Sequence, residues 1–498
     1  MPTVQLKHKL VAPLAILIGL ASSIAGCGPL PGGYTENAFR GESRDRERDS
    51  AVIAQAVPLP APQEIVQSQE VRPLPGKLDS VPMFNSNSPE WVKTEGILLS
   101  TFPPNGKKVP TAHLNFPFQG RFDLFIHHQT INPKDLQTFY LGVILHNPSK
   151  QPVTVDVLQA ATYLTADAPY IKLPPYVENP ENTSYAGPGD RAVHDVLKGK
   201  RQADFPAKLV IPPGKSRMLM NLPTPVRNLE KPQNGRSALI RVRSSGKIYA
   251  ASLTMFAKKN AAGTDRPPTL EEWQALLDTG SLSGPRDKAP TVPGASGQLI
   301  YGRVAGVADG SLWKAQLTDR PTAKDFTIPQ QGKAVSYGIS TLRGGQLGTN
   351  QVQTAKMLVR YPDTAYEAHG NYAVEYNLNL PLYNPTKQSQ TVALTLETPL
   401  KEDKLTKQGL RFRKPALDFP YFRGSVRLRY KDEKGAEKTR YVHLWHKTGQ
   451  VLEPLVSFVM PPASRRSVQV DFIYPPDSTP PQVFTVRTLN SANSNSSQ

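Results

Sequence analysis

The residues best suited to chemistry are few and loosely spaced. His113, Asp123, His127 and His128 form the densest group of potential ligands or acid–base catalysts, with His146 next along the chain. A metal site needs donors converging within bonding distance, most simply two histidines four apart on a helix. The surrounding sequence reads as strand, so His127 and His128 point to opposite faces. Asp123 and His127 share a face but are kept apart by a rise of about 7 Å per two-residue step. His113, Asp123 and His127 are thus weak metal candidates, and neither a metal nor another cofactor is expected. His443 and His446 flank Trp445 but, three apart on a strand, also face opposite ways. No Gly-x-Ser-x-Gly elbow is present, and Gly214-Lys215-Ser216 lacks the earlier glycine of a phosphate loop. No catalytic residue is assigned.

Two other patterns point to binding and to an address. Arg427, Arg429 and Lys431 alternate with Val426, Leu428 and Tyr430, so one strand face becomes a basic ladder able to grip an anionic ligand. Tyr421, Tyr441 and Trp445 lie nearby in sequence and are of the type that stacks on sugar rings. At the N-terminus, Lys7 and Lys9 precede an apolar run from Leu10 to Leu20, too short to span a bilayer and ending in Ile24-Ala25-Gly26-Cys27. That sequence resembles the lipobox of bacterial lipoproteins, in which the cysteine thiol is acylated and cleavage leaves it as the first residue. Cys27 is the only cysteine in the chain, so no intrachain disulfide can form and the sole thiol stands where a lipid would take it. Gly28 beside it favours, by the sorting habits of two-membrane bacteria, the periplasmic face of the outer membrane.

The elements that must carry these residues are mainly short strands. With 38% hydrophobic and 20% charged residues, 49 Pro and 35 Gly in 498 positions, the chain falls among turn-rich globular proteins of two or three domains, not among collagens or wholly disordered chains. The net charge of +18 falls to +16 without residues 1–26, which include Lys7 and Lys9 and no acid. A basic surface favours anionic partners; outside the cytoplasm these are acidic polysaccharide, lipid headgroups or envelope protein rather than nucleic acid.

Landmarks recur at an offset of about 240 residues, the sign of a tandem duplication. Tyr140–Leu145 leads into Asn147-Pro148-Ser149-Lys150 and then alternating Val153, Val155 and Val157; Tyr376–Tyr383 leads into Asn384-Pro385-Thr386-Lys387 and then Val392, Leu394 and Leu396. Ile211-Pro212-Pro213 is answered by Met460-Pro461-Pro462, and Gly96-Ile97-Leu98-Leu99-Ser100-Thr101 by Gly338-Ile339-Ser340-Thr341. One helix is evident: Thr269 and Glu272 form a capping box, Trp273, Leu276 and Leu277 share a face, and Gly280 ends it.

The stretch Leu78–His128 carries a family resemblance. Leu78-Asp79-Ser80-Val81-Pro82, Phe84-Asn85-Ser86-Asn87-Ser88-Pro89, Glu95-Gly96-Ile97-Leu98-Leu99-Ser100 and Asn115-Phe116-Pro117-Phe118-Gln119-Gly120-Arg121-Phe122 resemble a cyanobacterial family of uncharacterised exported lipoproteins. The resemblance implies a bacterial-envelope address and supplies no activity or functional residue.

The expected architecture is all-β, with two tandem immunoglobulin-like or related β-sandwich modules and one short linking helix. Its expected segments are a lipoprotein signal peptide (1–26), a disordered tether (27–72), a first module (73–262), a helix and linker (263–297), a second module (298–489) and a disordered tail (490–498). The expected function is that of a membrane-anchored envelope lipoprotein acting as a non-catalytic binding or structural module. The alternative is a hydrolase of cell-wall or surface polysaccharide, with chemistry around His113 and His127.

Overall fold

Period-two burial is the local rule from which the structure is built. In the strand Val153–Leu164, Val153, Val155 and Val157 are buried while Thr154 and Asp156 are half-exposed; in Glu375–Tyr383, Tyr376, Leu378, Leu380 and Leu382 are buried and alternate with Asn377, Asn379 and Pro381. The computed structural model describes residues 62–476 and 478–490, which are mostly β-sheet. Cys27, the signal peptide, most of the expected tether and the tail from 491 onward lie outside the described residues.

Sheets of eleven, eight and five strands carry the body, with two small two-stranded ribbons beside them. The spine of the largest is the 24-residue strand Gln233–Phe256. Its first part pairs with Phe118–Ile131 and with Val153–Leu164; beyond Ser244 the register breaks, and the remainder pairs with Phe139–His146 and Gly96–Ser100. The break falls on Ser245-Gly246-Lys247, where a Cβ on Gly246 would stand 2.8 Å from a Val153 methyl. A small residue there lets one strand bend from one pairing surface to the next.

The recurring landmarks correspond to a recurring pairing scheme. Phe139–His146 pairs with Ser216–Thr224 as Glu375–Tyr383 pairs with Arg465–Ile473. Val153–Leu164 takes Lys208–Ile211 on one side and Gln233–Phe256 on the other, as Gln390–Glu397 takes Val456–Met460 and Gln482–Thr488. Gly96–Ser100 and Ala334–Ile339 occupy matching positions against Gln233–Phe256 and Gln482–Thr488. All these pairs are antiparallel.

Each Asn-Pro turn is closed by its asparagine in the same way. The Asn147 Nδ2 donates to the carbonyls of Gln151, Ile211 and Pro212 at 2.7, 3.0 and 3.2 Å, while its Oδ1 accepts from the Ser149 N–H and hydroxyl. Asn384 repeats this on Gln388, Met460 and Pro461 at 2.8, 2.8 and 2.9 Å, with Thr386 in place of Ser149. Both asparagines are fully buried. The Pro-Pro segments cannot form a regular ladder, because proline has no N–H, so their carbonyls need a side-chain donor.

The two halves also exchange strands across the boundaries expected at 262 and 298. Pro82–Ser86 pairs with Ala305–Asp309, and Tyr176–Glu178 extends the edge of Glu437–Lys447. Gln63–Gln67 pairs with Leu410–Lys414, and Glu70–Arg72 runs parallel to Ala334–Ile339. These last two segments were expected within the tether and are paired strands instead. Their Pro- and Gln-rich surroundings hide Gln63-Glu64-Ile65-Val66-Gln67, whose partner lies far along the chain. The largest apolar cluster accordingly mixes Phe125, Ala161 and Leu239 with Phe422, Leu428 and Val470.

Two α-helices occur among the described residues. Leu270–Thr279 has the expected capping box, Thr269 accepting from the Glu272 N–H and Glu272 from the Thr269 N–H, and Trp273 lies against Gly142, where a Cβ would come within 2.8 Å of the indole. The second, Pro188–Leu197, was not expected and wedges between strands of both halves.

The turn closure predicts that Asn147→Ala and Asn384→Ala each destabilise the body by about 2–3 kcal/mol, since each strands several carbonyls. Urea unfolding of the two variants should give similar losses; a change within error of zero at either would show that turn to be closed by other means.

Candidate functional site

The histidine cluster of Phe118–Ile131 is interior wiring. His128 uses both ring nitrogens, Nε2 with the Ser86 hydroxyl at 2.9 Å and Nδ1 with the Pro89 carbonyl at 2.7 Å. His127, on the other face, meets Ser237 Oγ through Nδ1 at 2.7 Å, and His113 meets Ser100 Oγ through Nδ1 at 2.8 Å. Asp123 has no exposed surface; Arg121 donates to it at 2.7 Å, and Arg241 Nε lies 3.4 Å away while its Nη1 reaches Glu375 of the other half at 2.8 Å. His113, Asp123 and His127 do not come together. Among the described residues no group of three His, Cys, Asp or Glu side chains is placed to hold a metal ion.

The basic ladder is real as an alternation, on the face opposite the core-facing Val426 and Leu428, but its two arginines are drawn onto a buried acid. Arg427 Nε and Arg429 Nη2 reach the same oxygen of Asp471, at 3.0 and 2.8 Å, and Asp471 is fully buried on the neighbouring strand. Arg427 also donates to the Leu197 carbonyl at the end of the wedge helix. Lys431, at the exposed strand end, faces Glu437 at 3.6 Å. Two of the three bases of the expected anion-binding ladder are thus committed to one carboxylate that the sequence pattern could not pair with them.

The densest acid–base cluster lies elsewhere, at the start of the wedge helix. Gly187, at φ +114°, lets the chain pass where a Cβ would come within 2.4 Å of the Tyr170 ring, and Pro188 then opens the helix. Asp190 in the first turn accepts from the Ala186 N–H at 2.8 Å and from His443 Nε2 at 2.7 Å. Burial works against the charge on Asp190, but His443 and the Ala186 N–H hold its carboxyl below the usual range. His194, one turn on, lies 3.4 Å from the Asn179 amide, which also reaches Ser425 Oγ at 3.2 Å. Asp195 gathers Tyr163 at 2.6 Å, Asn182 at 2.9 Å and Lys200 at 3.0 Å.

Asp190, His443 and Ser425 are the residue types of a nucleophilic triad, and Ser425 stands directly across the ladder from His443. Their exposures are 1%, 0% and 4%, and the Asp190–His443 bond ties the helix to the strand Glu437–Lys447 of the other half. The sequence carried one overlooked signal for it: proline and then an acid in the first turn, ahead of Val193, Val196 and Leu197. Trp445 is 8% exposed and Tyr421 and Tyr441 are half-buried, so none forms an open platform for a sugar. A shallow open groove lined by Glu70, Arg72, Asp319 and Lys333 lies beside the N-terminal strands, its Arg72 already paired with Glu70 at 2.7 Å.

Burial of neutral imidazoles sets a pH dependence. Desolvation pushes His128 and His446 down to about 3, and His113, His194 and His369 down to about 4. The unfolded chain takes up these protons at about 6.5 while the folded chain does not, so stability is full above that pH and falls as pH drops toward 4. Denaturation midpoints should decrease steeply between pH 7 and 4. A midpoint that stays flat over that interval would mean that these rings are open to solvent.

Comparison with solved structures gives distant likenesses, among them these two. Lac15 from a marine microbial metagenome is similar at 9% identity over 72% of this chain, with a TM-score of 0.09; the chain spans half the length, 50%, of that protein. A mutant of the Bacillus subtilis oxalate decarboxylase OxdC is similar at 10% identity, over 79% of this chain and 78% of that one, again with a TM-score of 0.09. Superpositions of this quality carry no statement about fold or activity. No curated protein matches the sequence. A family model does match, over residues 69–488, and on that extent the chain belongs to DUF3370, a family of proteins of unknown function.

Proposed function

We propose that the protein is a membrane-anchored lipoprotein of the bacterial envelope whose β-rich body is a non-catalytic binding or structural module. The single observation that supports the non-catalytic part most is the fate of the groups capable of chemistry: His113, Asp123, His127, His128, Asp190 and His443 are all buried, each with a hydrogen-bond partner inside the body. The alternative, a polysaccharide hydrolase built on His113 and His127, would need those two rings to face a common cleft.

The address rests on Cys27 and the apolar run before it. A three-chain lipid at about 0.8 kcal/mol per buried methylene would hold the chain to a bilayer effectively irreversibly. With Gly28 next, the periplasmic face of the outer membrane is the proposed destination, in the cyanobacterial lipoprotein setting that the sequence resembles. The recurring pairing scheme supports an origin by duplication of one β-sandwich unit, with later exchange of edge strands between the copies.

Cys27→Ala tests the anchor. The natural chain should sediment with membranes and enter the detergent phase, and the variant should appear in the soluble fraction. Unchanged detergent partitioning of the variant would remove acylation at Cys27 from the account.

A further inference from the structure

The duplicated frame carries different charge at its two ends, and this locates a binding surface. In the first half three turns meet. Asn147 ties its own turn to Ile211 and Pro212 through its amide, and its N–H bonds the Lys215 carbonyl at 3.0 Å. Ser245 Oγ accepts from the Thr154 N–H at 2.9 Å, bringing in the bend of the long strand, where Gly246 packs on Val153. These turns and their flanking strands present Lys150, Lys208, Lys215, Arg217, Arg243 and Lys247, every one exposed. The segments 147–156, 208–217 and 243–248 contain six bases and one acid, Asp156, which lies 3.8 Å from Lys208 and opposite Arg243 in the ladder. Among the described residues Lys150, Lys215, Arg217 and Lys247 make no ion pair.

The matching end of the second half is less basic. Its Asn-Pro turn carries one exposed base without an ion pair among the described residues, Lys387, while its Pro-Pro turn carries Arg465 and Arg466, paired with Asp325 at 2.9 Å and Glu433 at 3.3 Å. The same backbone device thus ends in mostly compensated charge in one copy and in uncompensated charge in the other.

We infer that the three-turn tip of the first half, Lys150, Lys215, Arg217 and Lys247 with Arg243 beside them, binds an acidic polysaccharide. The inference deepens the proposed binding role and rests on it. Cations spread over three separate turns suit a chain of repeated anionic groups better than one small anion. The exposed large apolar side chain on these segments is Val210 alone, too little to wedge into a bilayer. The turns are joined by hydrogen bonds, those of the buried Asn147 amide and the Thr154–Ser245 bond, so their backbones need little ordering on binding.

The test uses the full-length chain in mild detergent and immobilised polygalacturonate, at about 0.15 M salt so that diffuse charge is screened beyond roughly 8 Å. The variant K150E/K215E/K247E is compared with K387E/K404E/K434E, which makes the same change in net charge on exposed lysines of the second half. The expected result is a loss of affinity of roughly tenfold or more for the tip variant and less than about twofold for the other, with both showing the natural circular dichroism. Equal losses, no retention of the natural chain, or tip-dependent binding to phosphatidylglycerol vesicles without retention on the polysaccharide would each overturn the inference. Shortening of the polymer by the natural chain would instead overturn the non-catalytic reading, and would leave the comparison of the two variants to judge the tip.

Discussion

A proline-rich turn cannot satisfy its own backbone, and in this protein that deficit is met by one buried asparagine amide in each half. Asn147 and Asn384 each donate to three carbonyls and accept from the residue two positions on, so each closes its hairpin and fastens it to a Pro-Pro turn more than sixty residues later. The strands on either side take their register from that closure. A side chain that must reach three acceptors at once admits one arrangement of the two turns, which is a stronger constraint than apolar alternation alone supplies.

On this frame the halves are interlocked. Strands from the N-terminal segment complete sheets of the second half, Ala305–Asp309 completes a sheet of the first, and a helix lies between them. Interlocking buries polar groups, and the chain answers with paired charges, Arg241 between Asp123 and Glu375 and Arg427 and Arg429 on Asp471, and with the hydrogen bond between His443 and Asp190. Removing one partner of such a pair leaves a charge stranded in the interior. Of the side chains that looked like chemistry, Asp190 and His443 join the two halves and Asp123 lies beside an arginine that does, while His113, His127 and His128 bond within the first half.

How much of this was legible in the sequence follows from the range of each interaction. The Thr269–Glu272 capping box is local, and the helix it starts was read correctly. The Asn-Pro and Pro-Pro landmarks were legible as a repeat because each is a short motif, and they sit at equivalent places in the pairing scheme. Alternation also put Arg427 and Arg429 on one face, yet nothing local could reveal that Asp471, on another strand, would lie beneath them. The strands Gln63–Gln67 and Tyr176–Glu178 were missed for the same reason, being only five and three residues long and stabilised by partners distant in sequence. The opposite facing of His127 and His128 was deducible, whereas their serine and carbonyl partners were not. The tip charges escaped notice because they are dispersed along the chain and converge only when the three turns meet.

The central claim is that the acid–base groups of the body build its interior and perform no reaction, and metal analysis of the full-length protein purified from native membranes tests it most directly. The account predicts less than about one tenth of an equivalent of any transition metal, since among the described residues no site gathers the three protein ligands that tight binding requires. Stoichiometric zinc or manganese that survives dialysis and is lost in His127→Ala would contradict it.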